Sequence, residues 1–320
     1  MKHHHPWFTG KLCAGLALWL GVYCAPAARG ADTLPATGDA NHPFRLAFMS
    51  SMFSEVNEAD ARAAMKIWIM TVAKERNIAV DPDPHIYSTL GELTASIRTN
   101  PIDGVGMVAS EYARLSRVMK FDRLGVGDYG GNITEKYLLL VRSDSGIERL
   151  DQLQGRTLNV LNTPRTSLAT VWLDTALLES GLKRCTVFFS QINYNNKASL
   201  VTLPVYFHQA DACLTTSNSF KVMGELNPQL TKQLRALAVS PEVMPACFAF
   251  CASDNSPARP QILKEMTRMG ETPAGKQILT LVKSDGIVEA PLSCMDSSLE
   301  LLARHDRLCG ETNQARVATK

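Results

Sequence analysis

The chain has 320 residues, 45% of them hydrophobic and 20% charged, with a formal net charge of +2. This composition supplies a large core and enough length for two lobes. The near-neutral balance excludes the basic footprint of a nucleic-acid binder, and beyond the N-terminal segment no apolar run is long enough to span a bilayer.

The N-terminus reads as an export signal. Lys2 and Lys11 flank a positive start, residues 12–23 are apolar, and Ala25-Pro26-Ala27 offers the small residues that signal peptidase needs. A signal peptide 1–27, cleavage near Ala27 and a periplasmic location are expected. Tyr23 precedes Cys24 where a lipidation signal needs a small side chain, so no lipid is expected there. A small, polar leader follows over residues 31–43.

The mature chain then alternates strand and helix. Residues 44–48 read as a strand, and Ser50, Ser51 and Ser54 as a polar loop. Asn57 suits a helix N-cap ahead of Ala61, Met65, Trp68, Ile69 and Val72, which fall on one stripe and predict packing on a sheet. A strand over 85–88, a helix over 90–97, a buried strand over 104–107 and a helix over 110–119 follow. Such alternation predicts a parallel-rich α/β sheet. The pattern restarts with a strand over 137–142, a short helix over 147–153 and a strand over 158–161. A helix over 168–180 then stops at Gly181. A strand over 187–189 comes next, then a helix over 196–207 that Pro204 should kink or end. A strand over 212–215, a helix over 226–233 and a strand over 247–252 complete this part. Helices over 260–269, 273–284 and 297–308 close the chain.

Six cysteines lie beyond the signal: Cys185, Cys213, Cys247, Cys251, Cys294 and Cys309. An exported chain permits disulfides. Cys247 and Cys251 are four apart on an expected strand, which puts their Cα atoms about 13 Å apart, and Cys294 and Cys309 flank an expected helix. Neither pair is expected to close. The absence of any Cys-x-x-Cys pair speaks against a metal site, and no cofactor is expected. No G-x-S-x-G elbow, H-E-x-x-H pair or Walker-type G-K-S/T occurs, so no catalytic residue is assigned and an enzyme is not expected. Cys213 and His208 could be drawn as nucleophile and base, but a buried, inert cysteine is the better reading.

Several segments, in this order, resemble the phosphate/phosphonate-type substrate-binding proteins of ABC transporters. They are residues 44–51, Asp103-Gly104-Val105-Gly106-Met107 with Tyr112, residues 137–155, Asp211-Ala212-Cys213, and residues 272–279. The resemblance implies a type II periplasmic-binding fold: an α/β protein of two lobes, each a sheet flanked by helices, joined by two crossing segments. It places the crossings near 137–141 and 246–252. Lobe I would comprise 44–138 and 250–310, and lobe II 139–249, with a tail over 311–320. The ligand would lie in the cleft.

In that family a Ser-Thr-Ser-Gly run at a helix start holds the anion. The matching stretch here is Arg165-Thr166-Ser167-Leu168, in which Arg165 and Leu168 replace a small hydroxyl residue and a glycine. Helix N–H groups and the positive helix end attract an anion, Thr166 and Ser167 add hydroxyls, and Arg165 adds a cation able to grip two oxygens. The plainer alternative is a cap, with Thr163 capping, Pro164 at the first helical position and Arg165 in solvent. Ser50, Ser51 and Phe53 follow the first strand at its carboxyl end, where open α/β sheets place ligands. Tyr112 is a candidate wall of the cleft, and Asn196 stands where the family often has His. Lys197 reads as solvent-facing, and the glycine pair in residues 129–132 as a loop near a crossing. Thr215 and Thr216 stand where an acid would meet a ligand ammonium, so an aminophosphonate is not expected. The resulting expectation is a monomeric receptor for a small oxyanion such as phosphate or a phosphonate. Its partner is the membrane permease of an ABC transporter or, alternatively, a membrane kinase or cyclase that it informs as a sensor; nucleic acid is not a partner.

Overall fold

The computed structural model describes residues 43–53, 56–252, 256 and 258–318, with side chains to residue 310. The expected signal peptide, Cys24, the leader to residue 42, and Ser54 lie outside the described residues. The chain opens with β1 (Leu46–Met49), α1 (Glu58–Arg76), β2 (His85–Tyr87), α2 (Leu90–Ile97), β3 (Gly104–Val108), α3 (Ala109–Leu115) and β4 (Phe121–Asp128). The middle contains β5 (Tyr137–Arg142), β6 (Thr157–Leu161), α4 (Ala169–Glu179), α5 (Cys185–Phe188), β7 (Gln191–Asn195), α6 (Ala198–Tyr206), β8 (Ala212–Thr216), α7 (Ser217–Leu226), α8 (Pro228–Gln233) and β9 (Leu234–Val239). It ends with β10 (Ala246–Cys251), α9 (Arg259–Thr267), α10 (Pro273–Leu281), β11 (Gly286–Ala290) and α11 (Asp296–Ala318). The last helix therefore continues through most of the segment expected as a tail.

The strands form two sheets. One runs β11-β4-β10-β3-β1-β2 and the other β7-β6-β8-β5-β9. In the first, lobe I, β1 is parallel to β2 and β3, and β10 runs antiparallel between β3 and β4. In the second, lobe II, β6 is parallel to β7 and β8, and β5 runs antiparallel between β8 and β9. The fold is that of the type II periplasmic-binding proteins.

Local signals account for the helices best read from sequence. The Asn57 side chain accepts the Ala59 N–H at 2.8 Å, and Asn77 ends α1 in the left-handed region at φ 51°. The stripe from Ala61 to Val72 is buried as expected. Thr89 and Glu92 form a reciprocal capping box on α2.

Four expectations need correction. The chain crosses between lobes at 129–136 and 240–245, where Glu135 and Val243 form an isolated antiparallel bridge. β5 and β10, expected as crossings, are interior strands, because each carries a continuous apolar run that only burial between two neighbours can satisfy. Residues 187–189 are not a strand: α5 forms there because the buried Asp174 carboxylate accepts the Cys185 N–H at 2.6 Å, satisfying an orphan donor of that turn. The helix expected over 226–233 is α8 preceded by a separate α7, each capped by its own side chain, Thr216 and Asn227. Finally, the helix expected from 168 is preceded by a 3-10 turn, Pro164–Thr166, and α4 begins only at Ala169.

The core has three parts. One lies against the outer helices α1, α9 and α10 of lobe I, one beneath α6 of lobe II, and the largest joins both lobes. Helix α11 packs on both α3 and α4, and its Arg304 pairs with Glu179. This returns the C-terminus across the two lobes and fixes the frame in which the cleft opens.

Candidate functional site

The three parallel strands β6, β8 and β7 of lobe II end side by side, and their carboxyl ends lead into segments that meet in one place. After β6 comes the turn Pro164–Thr166, after β7 the start of α6, and after β8 the start of α7. A cavity of about 380 Å³ lies there, lined by Thr163, Arg165, Asn196, Lys197, Ser199 and Ser219, with Thr216 beneath. Lobe I contributes Val282 and Lys283 from the end of α10. The lining carries three cationic side chains and no carboxylate. Ala198 and Ser199 at the start of α6 and Ser219 in the first turn of α7 line it, so the positive helix ends add to the same sign of field.

The cap of α7 is built from residues of the wall. Thr216 Oγ1 accepts the Ser219 N–H at 3.0 Å and donates to Ser219 Oγ at 2.9 Å. No side chain caps α6, whose N-cap position is the exposed Lys197.

The β6 turn is arranged differently. The Arg165 guanidinium pairs with Glu135 of the crossing segment, whose side chain is 2% exposed, and lies 3.8 Å above the centre of the Tyr129 ring. Its carbonyl accepts the Tyr137 hydroxyl at 3.1 Å. Thr166 Oγ1 accepts the Thr163 N–H at 2.8 Å and donates back to the Thr163 carbonyl at 3.0 Å. Ser167 Oγ donates to the Pro245 carbonyl of the other crossing at 2.8 Å, and the Thr166 and Ser167 N–H groups close the turn on Thr163 and Pro164. The donors expected for an anion at Thr166 and Ser167 are therefore used to tie the turn to itself and to the crossings. Arg165 is neither in solvent nor aimed solely at the cavity.

Of the other residues singled out in the sequence, Asn196 lines the cavity and is exposed. The 3-10 turn Ser50–Phe53 lies against the turn Pro164–Thr166 of lobe II. Ser50 there is half-buried, while Ser51 Oγ donates to Glu111 Oε2 at 2.8 Å. Phe53 packs in the lobe I core, with its ring centre 5.8 Å from that of Phe48. Tyr112 is a core residue and not a cleft wall: it stacks on Phe121 at 5.6 Å, and burial pushes its hydroxyl up to about 12. Cys213 is buried, and its thiol is pushed up to about 12 by loss of solvent. Among the described residues no group of three or more His, Cys, Asp and Glu side chains is placed to hold a metal ion.

Lys197, read as solvent-facing, is exposed on the cavity wall. Thr163, read as a cap, lines the cavity as well, and the sequence did not single out Ser199, Ser219 or Lys283 of its wall, or Glu135, the partner of Arg165. Thr216-x-x-Ser219 ahead of a helix was a usable cap signal. Glu135 had none, because its meaning depends on a partner in the turn after β6.

Comparison with known proteins bears on the family and the fold. A sequence profile for the periplasmic substrate-binding protein of phosphonate ABC transporters matches residues 51–293. Among curated proteins, none matches the chain. XAC2383 from Xanthomonas citri, solved bound to a chloride ion, superposes with a TM-score of 0.58 at 15% identity, covering 84% of this chain and 99% of that one. PhnD1 from Prochlorococcus marinus, solved in complex with methylphosphonate, gives 0.53 at 12% identity over 81% of this chain and 96% of its own. A binding-protein component of an ABC phosphonate transporter from Pseudomonas aeruginosa gives 0.51 at 10% identity over 88% and 100%. At these identities the three share the fold with this chain.

Proposed function

This chain belongs to the family of periplasmic phosphonate-binding proteins of ABC transporters, and from that premise we propose that it captures a small oxyanion between its lobes and delivers it to an ABC permease. One observation carries the reading. A single cavity gathers Arg165, Lys197 and Lys283, four hydroxyl side chains and the starts of two helices, with no carboxylate in its wall. A phosphonate or phosphate oxygen can accept from the two lysines, from the Ser199 and Ser219 hydroxyls and from the helix starts, while Arg165 is engaged by Glu135. Charge-assisted bonds of the lysine kind are the strong ones. The absence of an acid opposite favours a ligand without an ammonium group.

Val282 and Lys283 belong to lobe I and the other lining residues to lobe II. A ligand seated here touches both lobes, so binding favours the closed arrangement over an open one. The expected signal peptide and periplasmic location accord with this role.

Titration calorimetry with methylphosphonate, phosphate and 2-aminoethylphosphonate tests the proposal. Methylphosphonate or phosphate should bind, and the aminophosphonate should bind more weakly than methylphosphonate. If none of the three releases measurable heat and none raises the melting temperature, the cavity is not an oxyanion site.

A further inference from the structure

A second cavity adjoins the first. It has a volume of about 100 Å³ and lies in lobe I between the sheet and helices α1, α9 and α10. Its wall is apolar, formed by residues such as Phe48, Trp68, Phe248, Met266, Ile278 and Ile287. Pro164 and Val282 line both cavities. A polar, cationic chamber and an apolar one thus share a wall made of one residue from each lobe.

The apolar chamber is floored by glycines on β3 and β4. A side chain at Gly106 would meet the Phe48 ring at 2.6 Å, and one at Gly125 would meet Ile287 and Met266, each at 3.3 Å. Glycine weakens a strand interior, yet here it leaves room for rings and methionines that surround a space instead of filling it. Protein interiors hold few voids larger than a water molecule, and an empty one lowers stability. A dry cavity lined by such residues takes up small apolar groups: one of about 150 Å³ holds benzene. Scaled to that, this chamber has room for roughly four carbons.

We infer that the ligand is an amphiphilic oxyanion, its charged head among Lys197, Ser199 and Ser219 and its short alkyl group passing Pro164 and Val282 into the lobe I chamber. The inference rests on the oxyanion reading above, and it adds the class of substituent that the anion carries.

Calorimetry of the purified full chain with methyl-, ethyl-, propyl-, butyl- and octylphosphonate tests it. Affinity should rise roughly fourfold per added methylene, the equivalent of about 0.8 kcal/mol for each buried CH₂, and stop rising near butyl. Equal affinity across the series, with methylphosphonate bound, would overturn the chamber's role and leave the oxyanion reading intact. Failure of every member to bind while phosphate binds would overturn this inference and leave the oxyanion reading intact, and failure of phosphate as well would remove both. Ile287→Phe, which narrows the chamber away from the charged head, should abolish the gain from methyl to butyl. Survival of the full gain in that variant, shown to be folded by circular dichroism, places the chain elsewhere and overturns the inference. The wild-type series decides the matter even if the variant does not fold.

Discussion

Arg165 and Lys197 line one cavity at the ends of neighbouring strands, and the fold uses them in opposite ways. Arg165 is held from three sides: by the buried Glu135, by the face of Tyr129, and through its own carbonyl by Tyr137. Lys197 is exposed, at the uncapped start of α6. A planar, always-charged guanidinium suits a fixed buried pair, whereas a compact ammonium on a flexible stem suits an exchangeable ligand. The residue that looks most like an anion grip in the sequence is thus a joint between the β6 turn and a crossing segment. The one that looks like ordinary surface is the cation that the proposed oxyanion would meet.

Removing each cation in turn should separate the two roles. Arg165→Ala leaves the Glu135 carboxylate buried without its partner, and breaking a buried pair in this way costs about 3–5 kcal/mol. Urea denaturation should show that loss. A loss below about 1 kcal/mol, within the range of an exposed ion pair, would return Arg165 to the ligand and undo the contrast.

Lys197→Met should do the reverse. Stability should change by no more than about 0.5 kcal/mol, as for most surface substitutions. Methylphosphonate binding should weaken by about 1.5–3 kcal/mol, the range of a hydrogen bond to a charged group, as read by calorimetry. Unchanged affinity would take Lys197 out of the proposed site. Thr216→Ala should cost about 1 kcal/mol of stability through loss of the α7 cap, which a thermal melt would detect. No shift would mean that the start of α7 is not ordered by its own wall residue.

Legibility in the sequence tracks the range of the forces concerned. β1, α1, α2 and β8 were readable because alternation, stripes and caps such as Asn57 and Thr89–Glu92 act over a few residues. β4 was missed. Its Gly125 and Gly127 look like loop, and only the structure shows that Met266, Ile287 and Tyr129 occupy the space that side chains there would need. The stretch Thr186-Val187-Phe188-Phe189 has strand-forming residues, but the distant Asp174 turns it into helix. The two-lobed fold was legible from the order of family-like segments. The division of labour within it was not, because Glu135 and Arg165 meet only after β5 and β6 have been placed in their sheet.

Ser51 offers the finest version of the same contrast, since a serine expected at the ligand donates to a carboxylate instead. Burial raises Glu111 above the usual carboxylate range, against the Ser51 hydroxyl, the Val108 N–H and the charge of Arg114, which all favour ionisation. The two bonds measure 2.8 and 3.0 Å. A raised folded-state value means that the native protein holds the Glu111 proton more tightly than the unfolded chain does. Stability contributed by the group is then complete below its unfolded value and declines as pH rises through the window up to its folded value. Glu111→Gln keeps an acceptor for both bonds and removes the titration. The difference in urea stability between wild type and this variant, followed over about pH 4 to 7, should therefore shift steadily in favour of the variant as pH rises. Ser51→Ala deletes a donor that favours the carboxylate, so it should raise Glu111 further and carry the decline to higher pH. A wild-type-to-Gln difference that stays flat across the range would show that Glu111 is solvated as an ordinary surface acid. Ser51 would then be available to the cleft after all.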